Sequence, residues 1–170
     1  VMDADITGCF DNINHDVLME LLANKIEDRC FLKLIRSFLQ AGYLEDWVYN
    51  RSYSGTPQGG TVSPILANIY LHEVLDVWFE CVVKPRLGGR AFLVRYADDF
   101  LIGFSDELDA RRVMTVLPKR FEKYGLALHP EKTRLLRFHP PGRCGDSGPF
   151  DLLGFTHHWA RSRKGYWVIK

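Results

Sequence analysis

The chain has 170 residues, 46% of them hydrophobic and 25% charged, which fits one globular domain with a substantial core. No apolar run approaches the roughly 20 residues needed to span a bilayer, so no membrane role is expected. The net charge is only +1, but residues 1–110 hold 9 Lys and Arg against 17 Asp and Glu, whereas residues 111–170 hold 13 against 4: the acidic part suits metal ions and the basic part suits phosphates.

Residues 1–6 alternate apolar and acidic, as a short strand does. Asn14 is placed to cap a helix over about 15–26, whose apolar face is Val17, Leu18, Leu21, Leu22 and Ile26. A second helix over about 29–41 stops at Gly42, and residues 43–54 read as a small hairpin. After the loop Gly55 to Gly60, Ser63 as cap and Pro64 at the first position open a long helix that reaches Trp78. The apolar runs 91–96 and 99–104 flank Ala97-Asp98 and predict a tight hairpin. Asp106 opens another amphipathic helix, to about Tyr124, ended by Gly125. Short strands are expected near 126–128, 134–138 and 150–155, an exposed loop at 139–149, and a last hairpin within 157–170. Strands and helices alternate without the rhythm of a doubly wound fold, which predicts an α+β sheet with helices on one face.

The four cysteines, Cys9, Cys30, Cys81 and Cys144, lack C-x-x-C spacing, so zinc is not expected. They read as reduced, mostly buried thiols of an intracellular protein. Three aspartates within the first eleven residues exclude a signal peptide there. The abrupt start at Val1 and end at Lys170 predict a fragment of a longer chain.

Carboxylates in a hairpin turn are commonplace. Asp98-Asp99, however, sits between two strongly apolar strands, where adjacent ionised groups repel at real cost and a bound divalent cation would remove that cost. Asp5 also follows an apolar stretch and could lie beside Asp98 on a neighbouring strand. Oxygen ligands of this kind suit Mg²⁺, and two such ions would stabilise both the attacking and the leaving oxygen of a phosphoryl transfer. Gly55, Gly59 and Gly60 let backbone approach a ligand, and a helix N-terminus follows. No G-K-[ST] follows, so this is not a Walker loop.

Taken in order, these segments resemble the reverse transcriptase motif series. Asp5-Ile6-Thr7-Gly8-Cys9-Phe10-Asp11 is similar to motif A, Gly55 to Pro64 to motif B, and Tyr96-Ala97-Asp98-Asp99 to motif C. Gly125-Leu126-Ala127-Leu128 with Glu131-Lys132-Thr133 is similar to motif D, and Leu153-Gly154-Phe155 to the primer grip. Phe10-Asp11-Asn12-Ile13-Asn14-His15 and Ser63 to Leu71 further resemble the group II intron reverse transcriptase/maturases, with CRISPR-associated reverse transcriptases as near relatives.

The resemblance implies a right-hand polymerase palm, an antiparallel sheet backed by helices with a ferredoxin-like core. It implies an RNA-directed DNA polymerase that adds deoxynucleotides to a primer 3′-hydroxyl on an RNA template. Asp5, Asp98 and Asp99, with the Ile6 carbonyl, would hold two Mg²⁺ ions, and Mn²⁺ would also suit them. Phe10 would exclude a 2′-hydroxyl. Gln58 and Gly59 would meet the nucleotide or template, and Lys132 the departing pyrophosphate, as a proton donor. Leu153, Gly154 and Phe155 would hold the primer. Expected partners are RNA template, DNA primer, deoxynucleoside triphosphate and intron RNA, in a bacterial cytoplasm or a eukaryotic organelle. The chain would be the palm over 1–170, lacking most of the fingers and all of the thumb, and would have little processive activity alone. Two rivals are a splicing cofactor with a scaffolding palm and a nucleotide cyclase with a similar core; the motif B and grip segments disfavour the cyclase.

Overall fold

The computed structural model describes residues 1–45, 48–50, 54–56, 61–142 and 147–170. In chain order these form β1 (Met2–Ala4), β2 (Ile6–Thr7), α1 (His15–Ala23), α2 (Arg29–Gln40), β3 (Tyr43–Glu45), β4 (Val48–Asn50) and α3 (Ser63–Leu71). There follow β5 (Ala91–Tyr96), β6 (Asp99–Phe104), α4 (Glu107–Glu122), β7 (Ala127–Leu128) and β8 (Arg134–Leu135). The chain closes with β9 (Phe150–Leu152), β10 (Phe155–His157), β11 (Trp159–Arg161) and β12 (Trp167–Ile169).

The α+β expectation holds. The central sheet is antiparallel, in the order β5-β6-β1-β8. Period-two alternation sorts its two faces. Met2, Ala4, Phe100 and Ile102 point into the core and are buried, whereas Asp3 and Asp99 belong to the opposite face. Helices cover the inner face with Leu18 and Leu22 from α1, Leu66 and Tyr70 from α3, and Val113, Leu117 and Phe121 from α4. The Phe100 and Phe121 rings meet edge-on at 5.9 Å. Each fully buried aromatic or aliphatic side chain of this kind contributes roughly 1.5–3 kcal/mol.

The caps explain where the helices begin. Asn14 accepts from the Asp16 and Val17 amides, Asp28 from those of Cys30 and Phe31, and Asp106 from that of Leu108. Ser63 is not the cap expected: it is the first helical residue, buried, with Val62 before it. The helix also changes pitch. After Leu71 it widens into π-helical turns at His72–Val77 and Phe79–Val83, then tightens at Lys84–Arg86. Arg120 of α4 supports the widened stretch, donating to the Val74 and Glu73 carbonyls at 3.0 and 3.3 Å while lying over Tyr124.

The strand expected at 150–155 is interrupted. Leu153 and Gly154, at φ 54° and 77°, form the two-residue tip of the β9–β10 hairpin. The cysteine expectation is corrected too. Cys9 is buried, but Cys30 and Cys81 are exposed, because they lie on the outer faces of their helices. Cys144 lies outside the described residues.

Candidate active site

Asp5 sits where the first strand changes partners. Ala4 faces Phe100 in β6, while Ile6 faces Leu128 in β7. Continuing the β1–β6 register by one residue brings Asp5 opposite Asp99. The Asp5 carbonyl accepts from the His129 amide at 2.8 Å, which ties the switch point to the β7–β8 connection. Asp98 is the second turn residue of the β5–β6 hairpin, where Tyr96 faces Asp99. Asp5 and Asp99 line an open cleft of about 340 Å³ together with Asp3, Glu131, Lys132 and Arg134. A larger cavity, about 1090 Å³, lies between the start of α4 and β8 and holds none of the expected site residues.

The electrostatics of the cleft are those of crowded carboxylates. Partial loss of hydration raises the Asp99 pKa, and the charges of Asp98, Asp5 and Asp3 raise it further, with Lys132 opposing. Lys132 donates to Asp5 Oδ2 at 2.6 Å, and that bond, with the surrounding carboxylates, raises the ammonium's pKa. Arg134 pairs with Asp3 at 3.2 Å across neighbouring strands. Below the cleft, burial first and then the Asp98 charge push the Cys9 thiol up to about 12, so it stays protonated.

Arg95 was not singled out by sequence. It lies on the inner face of β5, with 11% of its side chain exposed, and each of its three guanidinium nitrogens donates a hydrogen bond. Its guanidinium bridges both oxygens of Asp76 at 2.7 Å, and reaches Asn68 Oδ1 and the Ala97 carbonyl at 2.8 Å each. Ala97 has φ 53°, a conformation a non-glycine residue rarely adopts. Arg95 thus pins the strained turn that carries Asp98 to the helix that follows Ser63. A lone charge on the Ala91–Leu93 face of an apolar strand was the available signal.

The motif B segment docks on motif A through backbone. Gly55 and Thr56 amides donate to the Ile13 and Phe10 carbonyls at 2.8 and 2.7 Å, and His15 bonds the Gly55 carbonyl. Gly55 has φ 78°, and a Cβ there would stand 2.5 Å from the Phe10 carbonyl oxygen, so this contact requires glycine. Phe10 itself is half-buried and packs against the core. Gln58 and Gly59 lie outside the described residues. Leu153 is 45% and Phe155 72% exposed, and with Gly154 they present a protruding apolar tip.

Among the described residues no three side chains close around a common point as the ligands of an ion would. The donor set nevertheless fits a hard divalent cation: carboxylates of Asp5, Asp98 and Asp99, with the Ile6 carbonyl beside them. An ammonium already stands on Asp5 as counter-charge. The described helices include none long and apolar enough to cross a membrane.

An antiparallel sheet backed by helices, with aspartates at a strand switch and a hairpin turn, defines a polymerase palm. The chain belongs to the reverse transcriptase (RNA-dependent DNA polymerase) family, whose model matches residues 1–157. It is similar to the group II intron-encoded protein LtrA of Lactococcus lactis subsp. cremoris, 59% identical over 73 residues, which is 43% of this chain and 12% of that protein. A 91 kDa protein in the cob intron of Schizosaccharomyces pombe is 54% identical over 79 residues, 46% of this chain and 10% of that one. The structure of telomerase from Candida albicans in complex with a TWJ fragment of telomeric RNA shares the fold, with a TM-score of 0.73 at 19% identity over 91% of this chain and 29% of that one. The matched stretches are thus only about a tenth of the length of these two intron relatives.

Proposed function

We propose that this chain is the palm of an RNA-directed DNA polymerase, the catalytic segment of a longer group II intron-type reverse transcriptase. The observation that carries the reading is the convergence of Asp5 with the Asp98-Asp99 turn, where lost hydration and then the charges of Asp98 and Asp5 leave Asp99 reluctant to ionise. Carboxylates crowded in this way want a cation.

In the proposed reaction a primer 3′-hydroxyl gives up its proton to solvent water and attacks the α-phosphorus of a deoxynucleoside triphosphate, a new P–O bond forms, and the bond to the departing pyrophosphate breaks. Asp5 and Asp98 would hold two Mg²⁺ ions, Mn²⁺ being an acceptable substitute, with Asp99 and the Ile6 carbonyl assisting. Those ions supply charge neutralisation and Lewis acidity at the transferring phosphoryl group. The protein's own part is positioning and preorganised electrostatics. Phe10, held in the turn that Gly55 clasps, would bar a 2′-hydroxyl. Gln58 and Gly59 would contact the nucleotide or template. Lys132, once released from Asp5, would give a proton to the leaving pyrophosphate. The Leu153, Gly154 and Phe155 tip would hold the primer. Fingers and thumb would come from the rest of the longer protein, in a bacterial cytoplasm or an organelle. The alternative reading is an RNA-binding maturase, an intron splicing cofactor whose palm serves as a scaffold.

The test is primer extension by the longest natural chain that contains this segment. RNA-templated incorporation of deoxynucleotides, with ribonucleotides used much less well, is expected. Template-independent cyclisation of a triphosphate, or no RNA-templated product, would contradict the reading.

A further inference from the structure

The β11–β12 hairpin lies beyond residue 157, where the family match ends. From Leu152 to Lys170 the chain carries four Lys and Arg and no Asp or Glu. Elsewhere, several basic side chains have carboxylate mates: Lys25 with Glu73, Lys84 with Glu80, Arg111 and Arg137 with Glu107, Lys132 with Asp5. Among the described residues no carboxylate pairs with Arg161, Arg163 or Lys164. The positive charge here is uncompensated, and it is concentrated on one small element.

That element is ordered. The Ser162 amide donates to the Tyr166 carbonyl at 2.8 Å and the Gly165 amide to the Ser162 carbonyl at 2.9 Å, with Gly165 at φ 83°. Arg161 lies over the Trp167 ring at 4.8 Å, which braces one strand against the other. The turn therefore presents Arg163 and Lys164 outward, beside a Tyr166 that is 70% exposed. Little backbone entropy would be lost when a ligand binds.

Its place is fixed relative to the Leu153–Phe155 tip. Only His158 separates β10 from β11, and it exchanges two backbone hydrogen bonds with Lys170. The Phe138 ring packs on Phe150 of β9 and on Trp159 of β11, so the two hairpins share one aromatic cluster. In turn, β9 lies against β6, the strand that begins at Asp99.

We propose that the β11–β12 hairpin binds the sugar–phosphate backbone of the primer–template duplex as it leaves the active site, with Arg163 and Lys164 as the phosphate contacts. This rests on the polymerase reading, because the strand end held at the neighbouring tip would be paired to its template. A protein partner is disfavoured, since interface centres are depleted of charge and this surface is dominated by it. Phosphate contacts of this kind are salt-dependent, each adding about 0.9 to the slope of log affinity against log salt on a duplex.

The test is binding of an RNA–DNA primer–template to the intact protein, without Mg²⁺ or nucleotides, across a range of monovalent salt. Arg163→Gln with Lys164→Gln should weaken binding roughly tenfold near 0.1 M salt and make the slope shallower by about two. The charge-preserving exchange Arg163→Lys with Lys164→Arg should keep the wild-type slope, as should Lys84→Gln, whose ammonium is already paired. An unchanged slope in the double Gln variant would overturn the proposal. So would no duplex binding by wild type, or a loss confined to single-stranded RNA. Failure to extend primers would contradict the polymerase reading alone, while an unchanged slope in an active polymerase would contradict the hairpin's role alone.

Discussion

Asp99 shows how one carboxylate reports on its neighbours. Lost hydration and the charges of Asp98, Asp5 and Asp3 hold its pKa above the ordinary value. A carboxyl that binds its proton more tightly when folded favours folding below its unfolded pKa. That contribution is lost as pH rises through the folded pKa, so at neutral pH ionised Asp99 works against the fold. Asp99→Asn should therefore raise the melting temperature at pH 7 in the absence of divalent ions. The gain should shrink as pH falls into the carboxylate range near about 4, where wild type is also neutral. Thermal melts of both proteins at several pH values check this, and a variant melting at or below wild type at pH 7 would contradict it. Reading the acidic residues from sequence was possible because two of them interrupt apolar strands. The Lys132–Asp5 pair was not legible as a contact, since 127 positions separate the partners and only the β7–β8 connection brings them together.

At the scale of elements, the β5–β6 hairpin was read to the residue, because apolar runs on both sides of Ala97-Asp98 leave no other place to turn. The π-helical widening after Leu71 was not legible: the side chain that takes the loosened carbonyls, Arg120, comes from a helix 46 residues further on. Nor was the turn at Leu153-Gly154, because leucine carries no turn preference and enters positive φ at a cost. The link with most consequence is Arg95, which ties Asp76 and Asn68 to the Asp98 turn. Arg95→Met should cost about 2 kcal/mol of stability, because Asp76 and the Ala97 carbonyl lose a largely buried partner. It should also lower kcat more than it raises KM for nucleotide, since the turn moves while the binding surfaces stay. Arg95→Lys should recover only part of both, because an ammonium cannot make the two-pronged contact and reach the turn at once. Urea melts and steady-state kinetics measure the two effects. An Arg95→Met protein with wild-type stability and kcat would show that the turn holds itself.

For the whole molecule, the division of charge along the chain has a spatial meaning. The acidic part supplies Asp3, Asp5, Asp98 and Asp99, and the basic part folds back to place Lys132 and Arg134 against two of them. The last hairpin adds Arg161, Arg163 and Lys164, which among the described residues have no carboxylate pair. The α+β palm followed from periodicity and motif order, while its detailed joins depended on contacts between distant segments. The claim on which the account stands is that Asp5 and the Asp98 turn form one catalytic centre. The most direct measurement is RNA-templated primer extension by the longest natural chain, wild type beside Asp98→Ala, with melting curves for both. The account predicts that the variant folds with nearly the wild-type melting temperature and loses synthesis by at least about a thousandfold, as expected when electrostatic stabilisation of a transferring group is removed. A folded Asp98→Ala protein that still extends the primer at a comparable rate would contradict it.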